Sequence, residues 1–130
     1  MNIIINDKII IKDVTVDDIY STFDGLPEST CIPVILEDGD NYVQSLSTKR
    51  FGMLEARFYN EDGFSHFRAR DITDDSRYIV MNSHTESPFR MMTKNRLSTQ
   101  TMRIVFTDFL LKRTLSSCVM WDNVTSEFTD

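Results

Sequence analysis

The stretch Met53-Leu54-Glu55-Ala56-Arg57-Phe58-Tyr59-Asn60-Glu61-Asp62-Gly63-Phe64-Ser65-His66-Phe67-Arg68-Ala69-Arg70 decides the fold of this chain. Its first seven residues alternate. Leu54, Ala56 and Phe58 fall on one face and Glu55, Arg57 and Tyr59 on the other, the period of a half-buried strand. Asn60-Glu61-Asp62-Gly63 has the composition of a tight turn. Phe64–Arg70 then runs back, with Phe64, His66, Arg68 and Arg70 on a face opposite Ser65, Phe67 and Ala69. An antiparallel hairpin is the expected product.

The same pattern repeats upstream. Cys31–Glu37 reads as a strand, Glu37-Asp38-Gly39-Asp40-Asn41 as a turn, and Tyr42–Ser47 as the returning strand. Residues 2–12 are isoleucine-rich on both sides of Asn6-Asp7, which predicts two short strands joined by a tight turn. Thr15 is placed to cap a helix, with Asp17 and Asp18 in the first turn where the helix dipole favours acids. Val16, Ile19, Tyr20 and Phe23 form one apolar stripe at helical spacing. Gly25 and Pro27 end that helix, with Gly25 as the residue beyond its last turn.

Downstream, Tyr78–Met81 is expected as a further strand and Asn82–Asn95, polar and containing Pro88, as a long loop. Met91-Met92 suits gap-filling in a core. Leu97 and Met102 bracket Ser98 as a hydrophobic staple around a helix N-cap. Met102, Val105, Phe106, Phe109 and Leu110 then make a wide buried stripe, ending on Lys112 and Arg113. Ser117–Val124, with the only tryptophan, Trp121, closes the chain as a strand. The expected class is α+β: a single domain over residues 1–130, an antiparallel β-sheet meander packed against an N-terminal and a C-terminal helix.

Composition narrows the function classes. The chain has 130 residues, 41% of them hydrophobic and 26% charged, ordinary values for one globular domain. It holds no apolar run of the ~18 residues that a membrane-spanning helix requires. The start, Met1–Asp7, lacks a basic region and a cleavage site, so a strand is expected there and not a signal peptide. Cys31 and Cys118 are then expected as two reduced, core-facing thiols of a soluble, cytoplasmic protein. The net charge is −6 and unevenly spread: residues 1–65 hold twelve acids and five bases, residues 66–113 five acids and nine bases. An acidic front half attracts cationic partners and repels nucleic acid.

No catalytic, cofactor-binding or metal-ligating set is expected. Among His66, His84, Cys31 and Cys118 no two lie closer than eighteen residues, whereas structural zinc sites use local pairs. Glu55, flanked by Leu54 and Ala56, reads as part of a solvated, salt-bridging face with Arg57 and Tyr59; a catalytic glutamate is the sharper alternative. Four scattered glycines form no phosphate loop. Phe64, His66, Phe67, Arg68 and Arg70 interleave aromatic and basic residues as single-strand platforms do. Yet the two phenylalanines face opposite ways and the domain is acidic, so direct nucleic-acid binding is not expected.

A short early helix, acidic turns at Glu37-Asp38-Gly39-Asp40 and Asn60-Glu61-Asp62-Gly63, the stretch His66-Phe67-Arg68-Ala69, a late helix and a final strand with Val119-Met120-Trp121 follow one another in order. This order resembles the small α+β immunity proteins of bacterial polymorphic-toxin and contact-dependent growth inhibition systems. The resemblance covers residues 15–125, with no match at 72–97. It implies a non-enzymatic inhibitor that binds a cognate toxin domain, often a nuclease, by steric and electrostatic blockade. The expected contact residues are then the turn acids Glu37, Asp38, Asp40, Glu61 and Asp62, the helix acids Asp17 and Asp18, and the aromatic anchors Tyr42 and Tyr59. A phage or mobile-element adaptor that mimics nucleic acid, and a small ligand-binding protein or hydrolase, remain the alternatives.

Overall fold

The computed structural model describes residues 1–71, 78–83, 85 and 88–129. Strand β1 (Asn2–Ile5) and strand β2 (Ile9–Ile11) form an antiparallel hairpin in which Ile3 faces Ile11 and Ile5 faces Ile9. Asn6 and Asp7 make the turn with φ of 53° and 59°, a left-handed region that their short polar side chains tolerate. Helix α1 (Val16–Asp24) opens with a reciprocal cap. Thr15 Oγ1 accepts from the Asp18 amide at 3.2 Å, and Asp18 Oδ2 accepts from the Thr15 amide at 2.9 Å. The apolar stripe differs from expectation in one place. Tyr20 is exposed, and Thr22 is buried with Ile19 and Phe23 because its hydroxyl donates to the Asp18 carbonyl at 2.7 Å. Gly25 caps the helix in a right-handed conformation, φ −87°, so it supplies no left-handed turn.

Four consecutive strands make the expected meander: β3 (Thr30–Asp38), β4 (Asn41–Ser47), β5 (Phe51–Asn60) and β6 (Gly63–Arg70). Asp38 pairs with Asn41 across a two-residue turn in which Gly39 takes φ 61°, a value that favours glycine. Gly52 is needed for a different reason. A Cβ there would lie 2.2 Å from the Leu46 carbonyl oxygen and 2.5 Å from the Ser47 Cα.

The segment expected as a long loop, 82–95, is corrected by the structure. Strand β7 (Tyr78–Ser83) pairs with β8 (Phe89–Met92) in an antiparallel hairpin, followed by a 3-10 turn at Thr93–Asn95. A polar stretch with one proline hid a second strand only four residues long. β7 also runs parallel to β3, with Thr30 opposite Asn82 and Cys31 opposite Ser83. A two-residue strand, β9 (Leu97–Ser98), pairs with Phe51 and Gly52. Helix α2 (Thr99–Lys112) begins at its Ser98 cap, and β10 (Met120–Asn123), shorter than expected, pairs with β6. The main sheet therefore runs β10-β6-β5-β4-β3-β1-β2. Among the described residues the fold is mixed α/β, with a mostly antiparallel sheet and two α-helices.

The main core joins Ile19 and Phe23 of α1, Met102, Val105, Phe106 and Phe109 of α2, and the inward residues Val34, Leu36, Val43, Leu54, Ala56 and Ala69 of the sheet. Phe23 and Phe106 meet edge to face, ring centroids 5.0 Å apart, a favourable arrangement of ring quadrupoles. Leu110 is only partly buried. A second cluster, Cys31 with Met81 and Met91, lies under the β7–β8 hairpin, with Leu46, Phe51, Met53 and Phe89 against it. Met91 fills a gap as its type predicts. Both cysteines are free; Cys31 is buried, but Cys118 is exposed and not core-facing. Cys118 follows the helix in a loop, where its apolar neighbour Val119 packs on the core instead.

Candidate functional site

Strand register places the expected contact residues. Asp38 pairs with Asn41 at one hairpin tip and Asn60 with Gly63 at the next. Asn41 Oδ1 accepts from the Tyr59 amide at 2.7 Å, which ties the two tips side by side. Glu37, Asp38, Asp40, Tyr42, Tyr59, Glu61 and Asp62 therefore share one end of the sheet. Tyr42 stands between Glu37 and Arg57 in the register. Burial pushes its hydroxyl above the ordinary tyrosine range, opposed by the nearby Arg57 and reinforced by Tyr59 and Glu55. Tyr59 is 45% exposed and leans on Phe64, ring centroids 5.7 Å apart.

The helix acids stand apart from this group. Asp17 is exposed on the first turn of α1, whereas the Asp18 carboxylate is occupied by the helix cap. Asp18, expected as a first-turn acid and as a partner contact, thus also completes the cap that Thr15 begins.

Carboxylates divide into two populations. Asp24 pairs with Arg103, Glu28 with Arg50, Asp38 with Arg113, Asp122 with Arg70 and Glu127 with Arg68. Among the described residues no ion pair includes Glu37, Asp40, Glu61 or Asp62. These four lie at the hairpin tips; Asp7, Asp13, Asp17 and Asp18, near the start of the chain, also enter no ion pair among the described residues. Sequence reasoning missed Arg113, whose left-handed backbone at the end of α2 (φ 56°) carries its guanidinium to 3.0 Å from Asp38. No local signal marks it, because the contact spans 75 positions.

A second cluster occupies the sheet face away from the helices. Glu55 pairs with Arg68 and Arg57 with His66 across β5 and β6. Arg57 Nε donates to His66 Nδ1 at 2.9 Å, and His66 Nε2 lies 2.6 Å from Glu55 Oε1. The expected solvated face is a correction here: the Glu55 side chain is 18% exposed and the His66 side chain 2%. The reason is the segment after β10. Val124 donates its amide to the His66 carbonyl, His66 donates its amide to Thr125 Oγ1, and the Phe128 ring lies 4.2 Å from the imidazole. Arg57 itself stacks 3.9 Å above the Phe64 ring, a favourable cation–π contact.

Chemically, this cluster has little to offer a substrate. Both nitrogens of His66 are engaged, and a general base needs a free lone pair within reach of a proton. Burial pushes the Cys31 thiol up to about 11, so it is not poised as a nucleophile. Among the described residues no three His, Cys, Asp or Glu side chains gather as a metal would require; His84 lies outside them. The aromatic and basic residues of β6 do not make an open single-strand platform. His66 is buried, Arg68 is held by Glu55 and Glu127, and Arg70 is held by Asp122. Beside Glu55 a groove of about 250 Å³ is lined by Pro33, Gln44, Leu46 and Met53.

No family model and no curated protein matches this chain. No helix among the described residues is long and apolar enough to cross a membrane.

Proposed function

We propose that this chain is a non-catalytic binding protein that docks its acidic sheet end onto a basic partner and neutralises it, as an immunity protein neutralises a cognate bacterial toxin. The observation that carries the reading is the division of the carboxylates. Asp24, Glu28, Asp38, Asp122 and Glu127 are bound to arginines, while Glu37, Asp40, Glu61 and Asp62 are left unpaired and lie together at two adjacent tips. Unpaired like charges repel one another and cost stability unless something compensates them. A cationic surface would compensate them, steer the encounter and reject wrong partners by charge. Nuclease toxins bind polyanions and fit that description. In this reading the two helices packed on one face of the meander act as rigid backing for the tips, and the filled His66 cluster is a structural element.

The test is co-expression with the polypeptide encoded beside this chain, scoring growth and co-purification. Rescue from a toxic neighbour with a tight complex would support the reading. A harmless neighbour that does not bind would remove it and leave the adaptor alternative. A second reading, a small ligand-binding protein or hydrolase, takes its support from the groove beside Glu55. A compound that raises Tm in the parent chain, but not in Glu55→Leu, would favour it.

A further inference from the structure

We propose that the shallow groove between the β5–β6 hairpin and the end of α2 seats one large apolar side chain of the partner, flanked on that partner by lysine or arginine. The proposal rests on the toxin-binding reading above and adds the kind of residue at the centre of the contact.

The groove has a volume of about 470 Å³, and its lining includes the apolar side chains Phe58, Phe67 and Leu115. All three are only partly buried, so apolar surface is left uncovered at a place where the core reaches solvent. The floor is rigid: Phe58 meets Phe109 edge to face, 5.9 Å between centroids, and Leu115 packs on the main core. The rim is acidic on two sides. Asn60, which lines the groove, leads directly into Glu61 and Asp62. Arg113, which also lines it, is tied to Asp38, and the Asn41–Tyr59 bond brings the turn carrying Asp40 alongside.

An apolar centre inside a charged rim is the layout in which one buried anchor contributes most of the binding energy and the rim sets rate and partner choice. Charge selects the occupant. A second copy of this chain would press the same carboxylates against themselves, which is repulsive. A basic partner satisfies Asp40, Glu61 and Asp62 while its apolar residue covers Phe58, Phe67 and Leu115. Arg113 does not oppose this, because Asp38 already neutralises it.

Two measurements test the inference separately from the toxin reading. The first uses isotope-labelled protein and three capped pentapeptides: Lys-Lys-Phe-Lys-Lys, Lys-Lys-Gly-Lys-Lys and Glu-Glu-Phe-Glu-Glu. Saturable amide shifts at Phe58, Phe67 and Leu115 are expected with the first peptide alone. Shifts that avoid the groove, or equal shifts with all three, would overturn the proposal. The second uses the toxic neighbour and the groove-filling variant Ser65→Trp, with circular dichroism confirming that the variant folds. Affinity is expected to fall by about tenfold or more, the effect of losing one central anchor. Full affinity in Ser65→Trp combined with weakened binding in Glu61→Lys/Asp62→Lys would remove the groove and leave the toxin reading standing. Peptide shifts in the groove with no binding by the neighbour would do the reverse.

Discussion

Arg57 donates its Nε–H to Nδ1 of His66 at 2.9 Å, and this one bond decides which imidazole nitrogen carries the proton. Nδ1 must offer a lone pair, so the proton sits on Nε2 and is donated to Glu55 Oε1 at 2.6 Å. Long-range proton–nitrogen correlation spectra should therefore give the pattern of a neutral imidazole protonated at Nε2. Glu55→Leu should cost about 1–3 kcal/mol in urea unfolding, because it leaves a buried donor without an acceptor. Glu55→Gln keeps an acceptor oxygen and should cost less. Equal stabilities for the two variants would break the assignment.

Gly52 of β5 lies opposite Ser47 of β4, with no room for a side chain. A methyl group there would meet backbone atoms at 2.2 and 2.5 Å, which cannot rotate away. Gly52→Ala should lose about 2–3 kcal/mol, the upper range for overpacking, with Tm lowered by roughly 10 °C. Thermal unfolding checks it, and an unchanged Tm would mean that the two strands separate more easily than their register implies.

The two thiols should behave differently. Exposed Cys118 should react with an aromatic disulfide reagent at once in the native protein, and buried Cys31 far more slowly, at the rate at which partial or global opening uncovers it. Burial raises the Cys31 thiol from 9.0 to about 11. Between those values the unfolded chain releases a proton that the folded chain retains, so stability should fall as pH rises from 9 towards 11. The slope from one such group is at most about 1.4 kcal/mol per pH unit. Tyr42, also raised, adds to the fall above pH 10. Urea unfolding of Cys31→Ala across this range should give a shallower decline, and an unaltered slope would assign the loss elsewhere.

The tip acids should be dispensable for folding. Asp40, Glu61 and Asp62 are exposed and enter no ion pair among the described residues. Neutralising all three as Asp40→Asn, Glu61→Gln and Asp62→Asn should shift unfolding free energy by no more than about 0.5 kcal/mol, with a gain if repulsion dominates. Asp38→Asn, which frees Arg113, provides the contrast. A large loss in the triple variant would recast these acids as structural.

How much was legible follows the range of the interactions. The meander, the Thr15 and Ser98 caps and the Asn6-Asp7 turn were readable because strand alternation, capping and turn chemistry act within a few residues. Adjacent hairpins also placed both acidic tips together. The cover over His66 was not readable, since Thr125 and Phe128 lie 59 and 62 positions away and carry no signal for that contact. For the same reason Leu115 and Arg113 gave no hint that α2 would end beside the β5–β6 tip. Tyr20 failed differently: helical spacing marked it apolar, but the neighbouring threonine satisfied its own hydroxyl and took the buried place.

The parallel pairing of β3 with β7 joins segments about fifty residues apart and, among the described residues, has two registered positions, Thr30 with Asn82 and Cys31 with Ser83. Closing so long a loop costs entropy that two ladder positions repay poorly, and the small methionine cluster beneath is separate from the main core. The β7–β8 strands are therefore expected to open at lower free energy than the meander. Cys31 lies at that seam. Its rate of modification, followed without denaturant, counts how often the hairpin opens, and the chain carries its own reporter of partial unfolding.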